Sequence, residues 1–412
     1  MAANSVLSGV IVARILGAES LGILVVLNAT VSIVIQFSYF GLPVANTYFT
    51  ARDRENLAPA AMNGIVFAIV SGLVVGSIVW LFSPYFLPGV PTTLAAIGLL
   101  SVAFQLVTII LTNLFLAQNE VTKFNFLDLL NQSFVLINAI LALLILGGGL
   151  SLLVSLNTAA SGAMSILTAI LLYRYISSQS SAGSWHFSYT LFRQMIGYAF
   201  KGHFLWVLTF LAYRVDLLIV NYFRGSVEAS VYAVASQCTL FLLLLPNSVS
   251  HLLQTRVVSI QDTDGNFTCR VARHTSILLA AACIVSIPGA LILPYIYGVA
   301  FSDLPIQLWI LLPGVFFVGM QSVLTQYFIG TGLTWKLPAC WVITVFINVG
   351  LDMLVVPAYG ARSAAAVSTF CYVLIFTVVF ALFRKSTGHG LTAVLIPNSG
   401  DLRNILQMLR SL

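Results

Sequence analysis

The chain has 412 residues, of which 59% are apolar and only 7% charged, with a formal net charge of +6. An ordinary soluble domain carries roughly 25% charged residues, so charges this sparse exclude a soluble globular protein and leave lipid as the solvent. Long unbroken apolar runs exclude a β-barrel, whose strands read as short alternating segments, and predict an all-α polytopic membrane protein.

In chain order, twelve spans are predicted, at 1–16, 20–43, 59–82, 93–117, 123–147, 151–175, 202–223, 229–250, 272–297, 304–329, 337–357 and 362–384. At ~1.5 Å per residue most of them cross a ~30 Å hydrocarbon core. The first is short for a crossing, so either the start codon is misplaced or this helix tilts against its neighbours. It leads into the second without an A-x-A site, so no cleavable signal is expected. Turn chemistry marks the connections, as at Ser83-Pro84, Pro88-Gly89-Val90-Pro91 and Gly147-Gly148-Gly149.

Of the eighteen Lys and Arg, one set of connections and the C-terminal tail hold Arg52, Arg54, Lys123, Arg174, Arg193, Lys201, Arg256, Arg270, Arg273, Lys336, Arg384, Lys385, Arg403 and Arg410. The opposite side holds Arg14, Arg224 and Arg362, and Arg214 falls inside a span. This bias predicts that both termini are cytoplasmic. It also explains the basic charge as topology and argues against nucleic acid as a partner.

The plan is stated twice. Leu16-Gly17-Ala18-Glu19-Ser20-Leu21-Gly22 returns as Arg224-Gly225-Ser226-Val227-Glu228-Ala229-Ser230, Ile137-Asn138 as Ile347-Asn348, and Gly149 as Gly360, at an offset of about 208 to 213 residues. Six spans per copy is an even number, so the copies enter the membrane in the same direction and form a parallel pair of six-helix lobes. The predicted organisation is a first lobe at 1–175, a cytoplasmic amphipathic linker at 176–201, a second lobe at 202–388 and a cytoplasmic amphipathic tail at 389–412. In the linker, Trp185, Phe187, Leu191, Phe192 and Met195 stand against Arg193 and Lys201; in the tail, Leu402, Ile405, Leu406 and Leu409 stand beside Arg403 and Arg410. Both read as helices lying on the leaflet, with a short soluble helix docking elsewhere as the alternative for the tail.

Enzymatic chemistry finds little support. Asp262-Thr263-Asp264-Gly265 has the form of a metal-binding D-x-D but sits alone in a short loop and reads as a solvated turn. His186, His203, His251, His274 and His389 lack metal-ligand spacing, and no Walker A or G-x-S-x-G sequence occurs. The cysteines show no C-x-x-C and read as small core residues. No metal or cofactor is expected, and the chain reads as a non-enzyme.

Ionisable groups inside spans are expensive and mark functional sites by default. Arg214 and Asp216 lie in span seven, where an unbroken helix would point them about 200° apart. Asn125, Asp128 and Gln132 form a polar stripe on span five, and Thr344, Asn348 and Asp352 another on span eleven. Lipid cannot satisfy such stripes, so each needs protein or water beside it. Helix packing and cavity lining are both open for them. Arg14, just before the Leu16-Gly17 turn, either snorkels or meets substrate.

Ala13-Arg14-Ile15-Leu16-Gly17-Ala18-Glu19-Ser20-Leu21-Gly22 resembles the opening of polysaccharide flippases. Gly41-Leu42-Pro43-Val44-Ala45, the passage from Asp216 to Ala235, and Pro357-Ala358-Tyr359-Gly360-Ala361 are similar to later motifs of the same family. Ser230 stands where that family usually has glycine. The family is the lipid-linked oligosaccharide flippases (O-antigen and exopolysaccharide translocases) of the multidrug/oligosaccharidyl-lipid/polysaccharide exporter superfamily.

The resemblance implies two six-helix lobes around a central cavity, in a bacterial inner membrane. It implies transfer of an undecaprenyl-diphosphate-linked oligosaccharide to the outer leaflet by alternating access, for surface polysaccharide synthesis and in company with a polysaccharide polymerase complex. An anionic pyrophosphate and its glycan call for cations and polar groups, for which Arg214, Lys201, Arg14, Asn138 and Asn348 are the candidates. Asp216, Asp128 and Asp352 are candidates for proton or sodium coupling. A cation-coupled multidrug or small-molecule antiporter of the same superfamily is the alternative.

Overall fold

A computed structural model describes residues 2–179, 183–260, 262, 264–331 and 336–396; the side chains at 2, 3, 200–202, 205, 251, 252, 254–256 and 258–260 lie outside that description. Among the described residues all regular structure is helical, and eleven helices are long and apolar enough to cross a membrane. The first of these, Asn4–Ser38, bends at Gly17 into two arms, so it carries both of the first two predicted spans. Contacts divide the chain into two compact units, Met1–Ser230 and Val231–Leu412.

The first unit opens with α1 (Ala2–Ser38). Its bend has φ 84° and ψ 173° at Gly17, a backbone region essentially closed to residues with a Cβ. Next come α2 (Leu42–Arg52), a 3-10 turn at Arg54–Asn56, α3 (Leu57–Phe86) and α4 (Thr92–Ala117). In lipid, helices associate through small residues and buried hydrogen bonds, because apolar contact alone gives them no advantage over lipid tails. Both devices are present. A Cβ on Gly72 of α3 would lie 2.6 Å from the Ala103 Cα of α4. Asn46 Nδ2 of α2 donates to the Ile110 carbonyl (3.3 Å), and Gln118 Nε2 donates to the Thr50 carbonyl (3.1 Å).

The unit continues through α5 (Val121–Ala139), a π-helical turn at Ile140–Ile145, α6 (Leu150–Ser177), α7 (Tyr189–Ala212) and α8 (Val215–Arg224). The predicted linker is continuous with the following helix, since α7 runs from Tyr189 through to Ala212. Nor is it a free leaflet helix. Leu191 and Met195 of its apolar stripe are buried by protein, while Arg193 faces outward. Asn63 of α3 clamps its start, donating from Nδ2 to the Ser188 carbonyl (3.0 Å) and accepting the Ser188 N–H (2.9 Å). Tyr198 stacks on Tyr48 of α2 with ring centroids 4.4 Å apart.

Span seven is not continuous either. The helix ends at Tyr213, Arg214 departs from helical geometry with φ −134° and ψ −23°, and α8 starts afresh at Val215. It ends at Gly225, where φ 83° and ψ 177° reproduce the Gly17 bend to within a few degrees. The two copies of this turn meet: a Cβ on Gly22 would sit 1.8 Å from the Ser226 carbonyl oxygen, so only glycine fits there.

α9 (Ser226–Leu242) leads into the second unit, which holds α10 (Leu244–Ile260), α11 (Asn266–Ala290), α12 (Leu293–Tyr297), α13 (Leu304–Thr331), α14 (Lys336–Tyr359), α15 (Ala361–Thr387) and α16 (Leu391–Leu395). The Asp262 carboxylate accepts the Phe267 N–H (3.1 Å), the Thr268 N–H (2.9 Å) and the Thr268 hydroxyl (2.7 Å). It therefore satisfies donors at the start of α11 that have no partner within the helix, which accounts for the first acid of the Asp-x-Asp pattern. α16 docks on α11 through Arg273 Nη1 to the Ala393 carbonyl (2.9 Å) and the Ser276 hydroxyl to the Leu395 carbonyl (2.9 Å). The predicted amphipathic tail helix, from Leu402 to Arg410, lies outside the described residues.

Candidate functional site

The break between α7 and α8 sets the first group of candidates. Arg214, half-buried, occupies the N-cap position of α8, and Asp216 is the second residue of its first turn. Asp216 is 1% exposed and its carboxylate accepts the Leu217 N–H at 2.7 Å. The unpaired N–H groups of a helix start favour a carboxylate by about 0.3–1 kcal/mol, and more when partly buried. The break therefore permits a buried acid at this depth. It also removes the unbroken helix on which the 200° separation of Arg214 and Asp216 depends.

Elsewhere in the first unit, Asp128 is half-buried on α5, and Arg14 is exposed one turn before the Gly17 bend. Asn138 is buried at the end of α5, immediately before the π-helical turn. Its Nδ2 donates to Asn157 Oδ1 on α6 at 2.9 Å. Asn157 escaped the sequence reading. The repeat offers a signal for it, because the offset that joins Gly149 to Gly360 pairs Asn157 with Ser368. The Lys201 side chain lies outside the described residues.

In the second unit the predicted stripe on α14 is one buried face. Thr344 is 3% exposed, Asn348 1% and Asp352 0%. Thr344 turns its hydroxyl back to the Cys340 carbonyl (2.8 Å). Asn348 Oδ1 has no hydrogen-bond partner among the described residues. A buried acceptor without a donor is costly and asks for a water or an ion. Ser368, the counterpart of Asn157, instead lies 3.2 Å from the Tyr232 hydroxyl.

The face thus offers a carboxamide oxygen one turn from a fully buried carboxylate, the hard oxygen donors that suit a proton, a water or an alkali cation. No group of three or more His, Cys, Asp or Glu arranged to hold a metal ion occurs among the described residues. Of the charges predicted for the non-cytoplasmic side, Arg224 pairs with Glu228 (2.9 Å) and Arg362 Nε with both Asp303 oxygens (3.0 Å each).

No model of a known protein family matches the chain, and no curated protein matches it. Solved structures do. A multidrug resistance MATE family transporter of the MOP superfamily in an inward-facing conformation superposes with a TM-score of 0.77 at 14% identity, over 94% of this chain and 95% of that one. The lipid II flippase MurJ in an inward closed conformation gives 0.72 at 14% identity, over 99% and 94%. A MOP superfamily transporter from Pyrococcus furiosus, described as having a binding pocket of reverse polarity, gives 0.67 at 13%, over 94% and 92%. The all-helical membrane architecture read from the sequence is the fold of the MOP-superfamily transporters.

Proposed function

We propose that the chain is an ion-coupled membrane transporter that moves an undecaprenyl-diphosphate-linked oligosaccharide from the cytoplasmic to the outer leaflet of a bacterial inner membrane, by alternating access. The observation that carries the coupling is the α14 face, where Asn348 keeps an unsatisfied buried oxygen one turn from the buried Asp352 carboxylate. Loading a proton or sodium ion there supplies the missing partner, and release leaves it orphaned again, so the two states differ in stability. Asp216 and Asp128 are further candidates for the coupled ion.

Support for an anionic lipid-linked substrate comes from three directions. Arg214 stands in a helix break with Lys201 and Arg14 as further cations, the resemblance motifs recur in order along the chain, and a lipid II flippase shares the fold. The polar Asn138 and Asn348 would meet the glycan or its phosphates. In this reading residues 1–175 and 202–388 are the two lobes, both termini are cytoplasmic, and a polysaccharide polymerase complex receives the product. The pairing of Arg224 with Glu228 and of Arg362 with Asp303 leaves those carboxylates engaged and speaks against an outer catalytic cluster.

A multidrug or small-molecule antiporter is the second reading, favoured by the MATE structures that share the fold. One experiment separates the two. Lipid extracts of a deletion strain accumulate an intact lipid-linked repeat unit if the chain is the flippase, and its mass narrows the glycan. Unchanged lipids, together with drug resistance on overexpression, would assign the antiporter instead.

A further inference from the structure

α1 ends at Ser38, about 32 Å beyond the Gly17 bend at ~1.5 Å per residue, near the end of the span that leads to Arg52 and Arg54. The chain breaks there before α2. Phe40 holds φ 47° and Gly41 φ 72°. A bulky residue at positive φ is strained, and such strain persists only where surrounding structure enforces it. The enforcing element is α7. A Cβ on Gly41 would lie 2.9 Å from the Ala199 carbonyl oxygen and 2.9 Å from His203 Cβ.

His203 is 8% exposed in this junction. Its ring meets the Tyr39 ring at 4.7 Å, edge to face, and the Phe40 ring at 6.5 Å. It hydrogen-bonds the backbone of Gln36, in the last turn of α1, where carbonyls have lost their helical partners. The other ring nitrogen, Nε2, is buried with no partner. One nitrogen thus caps the broken helix, and the second has nowhere to place a proton.

The groups facing the ring are Gln36 of α1, Tyr39 just beyond its end, and Phe40, with Phe67 of α3 against Phe40. Lys201, on its own helix, lies outside the described side chains.

We propose that His203 is a proton-binding site that controls the junction between the α1–α2 break and α7. The neutral ring fits the closed junction, because Nε2 then needs no acceptor. Protonation at Nε2 creates a buried cation whose new N–H has no acceptor, and the junction relieves this by opening to water. The site would give the transport cycle a pH-sensitive element on the side bearing the basic connections. It rests on the transporter reading only for that consequence.

The test uses the purified full-length protein without substrate, so a failed flux assay leaves it untouched. With the five native cysteines replaced, Ala199→Cys reports the junction, and Tyr189→Cys, at an exposed position, corrects for thiol ionisation. The corrected labelling rate is expected to rise about tenfold from pH 8 to pH 5, the effect of one pK unit of differential proton affinity, and to stay flat in His203→Gln. A flat profile in both, or the same rise in His203→Gln, overturns the proposal. If Ala199→Cys misfolds, ring-labelled histidine resonances assigned by His203→Gln replace it; a His203 signal that does not titrate between pH 8 and pH 5 overturns the proposal equally.

Discussion

Asn138 and Asn348 hold matching places in the two copies of the repeat and both are buried, yet they differ in what they meet. Asn138 is tied to Asn157 at 2.9 Å, with a π-helical turn directly after it. In the second copy the position of Asn157 is taken by Ser368, which is shorter and lies against the Tyr232 hydroxyl, while Leu24 stands at the corresponding place in the first copy. At these two places the copies differ, leucine against tyrosine and asparagine against serine, alongside a closed amide pair in one and an open amide oxygen in the other. The two copies thus place an asparagine alike and differ in whether its buried amide is paired.

That contrast is open to direct attack. Asp352→Asn or Asn348→Ala should lower gradient-driven transport by a coupling factor on the order of 5–150-fold. Thermal unfolding in detergent should barely move for Asn348→Ala, because its oxygen gives up no bond. Asn138→Ala should do the reverse. It strands Asn157 and costs about 1–3 kcal/mol of stability, with the ion dependence of transport kept. Equal loss of coupling in both variants would erase the distinction. Tyr232→Leu with Ser368→Asn grafts the first copy's pair onto the second; the double variant should unfold at a higher temperature than wild type and lose coupling.

Where the copies agree, the effects should agree. Gly17→Ala and Gly225→Ala each force a Cβ into a backbone region nearly closed to it, so each should cost about 1–3 kcal/mol; a large difference between them would show that the two bends are not equivalent. The smallest effect belongs to Arg224→Ala. Its partly exposed ion pair with Glu228 should contribute no more than about 1 kcal/mol, visible as a shift of at most a few degrees in the melting temperature.

Much of this was legible in the sequence because lipid enforces it. Apolar runs of the right length, and the Gly17 and Gly225 motifs, dictated the helices and their matching bends. The stripe at Thr344, Asn348 and Asp352 followed from spacing alone, since residues four apart share a helix face. What the sequence hid are the places where partners far along the chain decide the outcome. The break at Tyr213–Arg214 has no proline or glycine to announce it. The strained Phe40 depends on α7 packing from some 160 positions away. Asn63, indistinguishable from any polar residue near a span's end, clamps Ser188 and draws the linker onto the first unit. His203 read as one packed histidine among five, because its significance lies in the broken helix it caps.

The central claim is that transport is coupled to an ion bound at the Asn348–Asp352 face. The most direct measurement is flux of lipid-linked oligosaccharide in proteoliposomes, with a sodium or proton gradient imposed and then collapsed. The account predicts flux that follows the gradient in the wild-type chain and ignores it in Asn348→Ala. Equal flux with and without either gradient in the wild-type chain would contradict it.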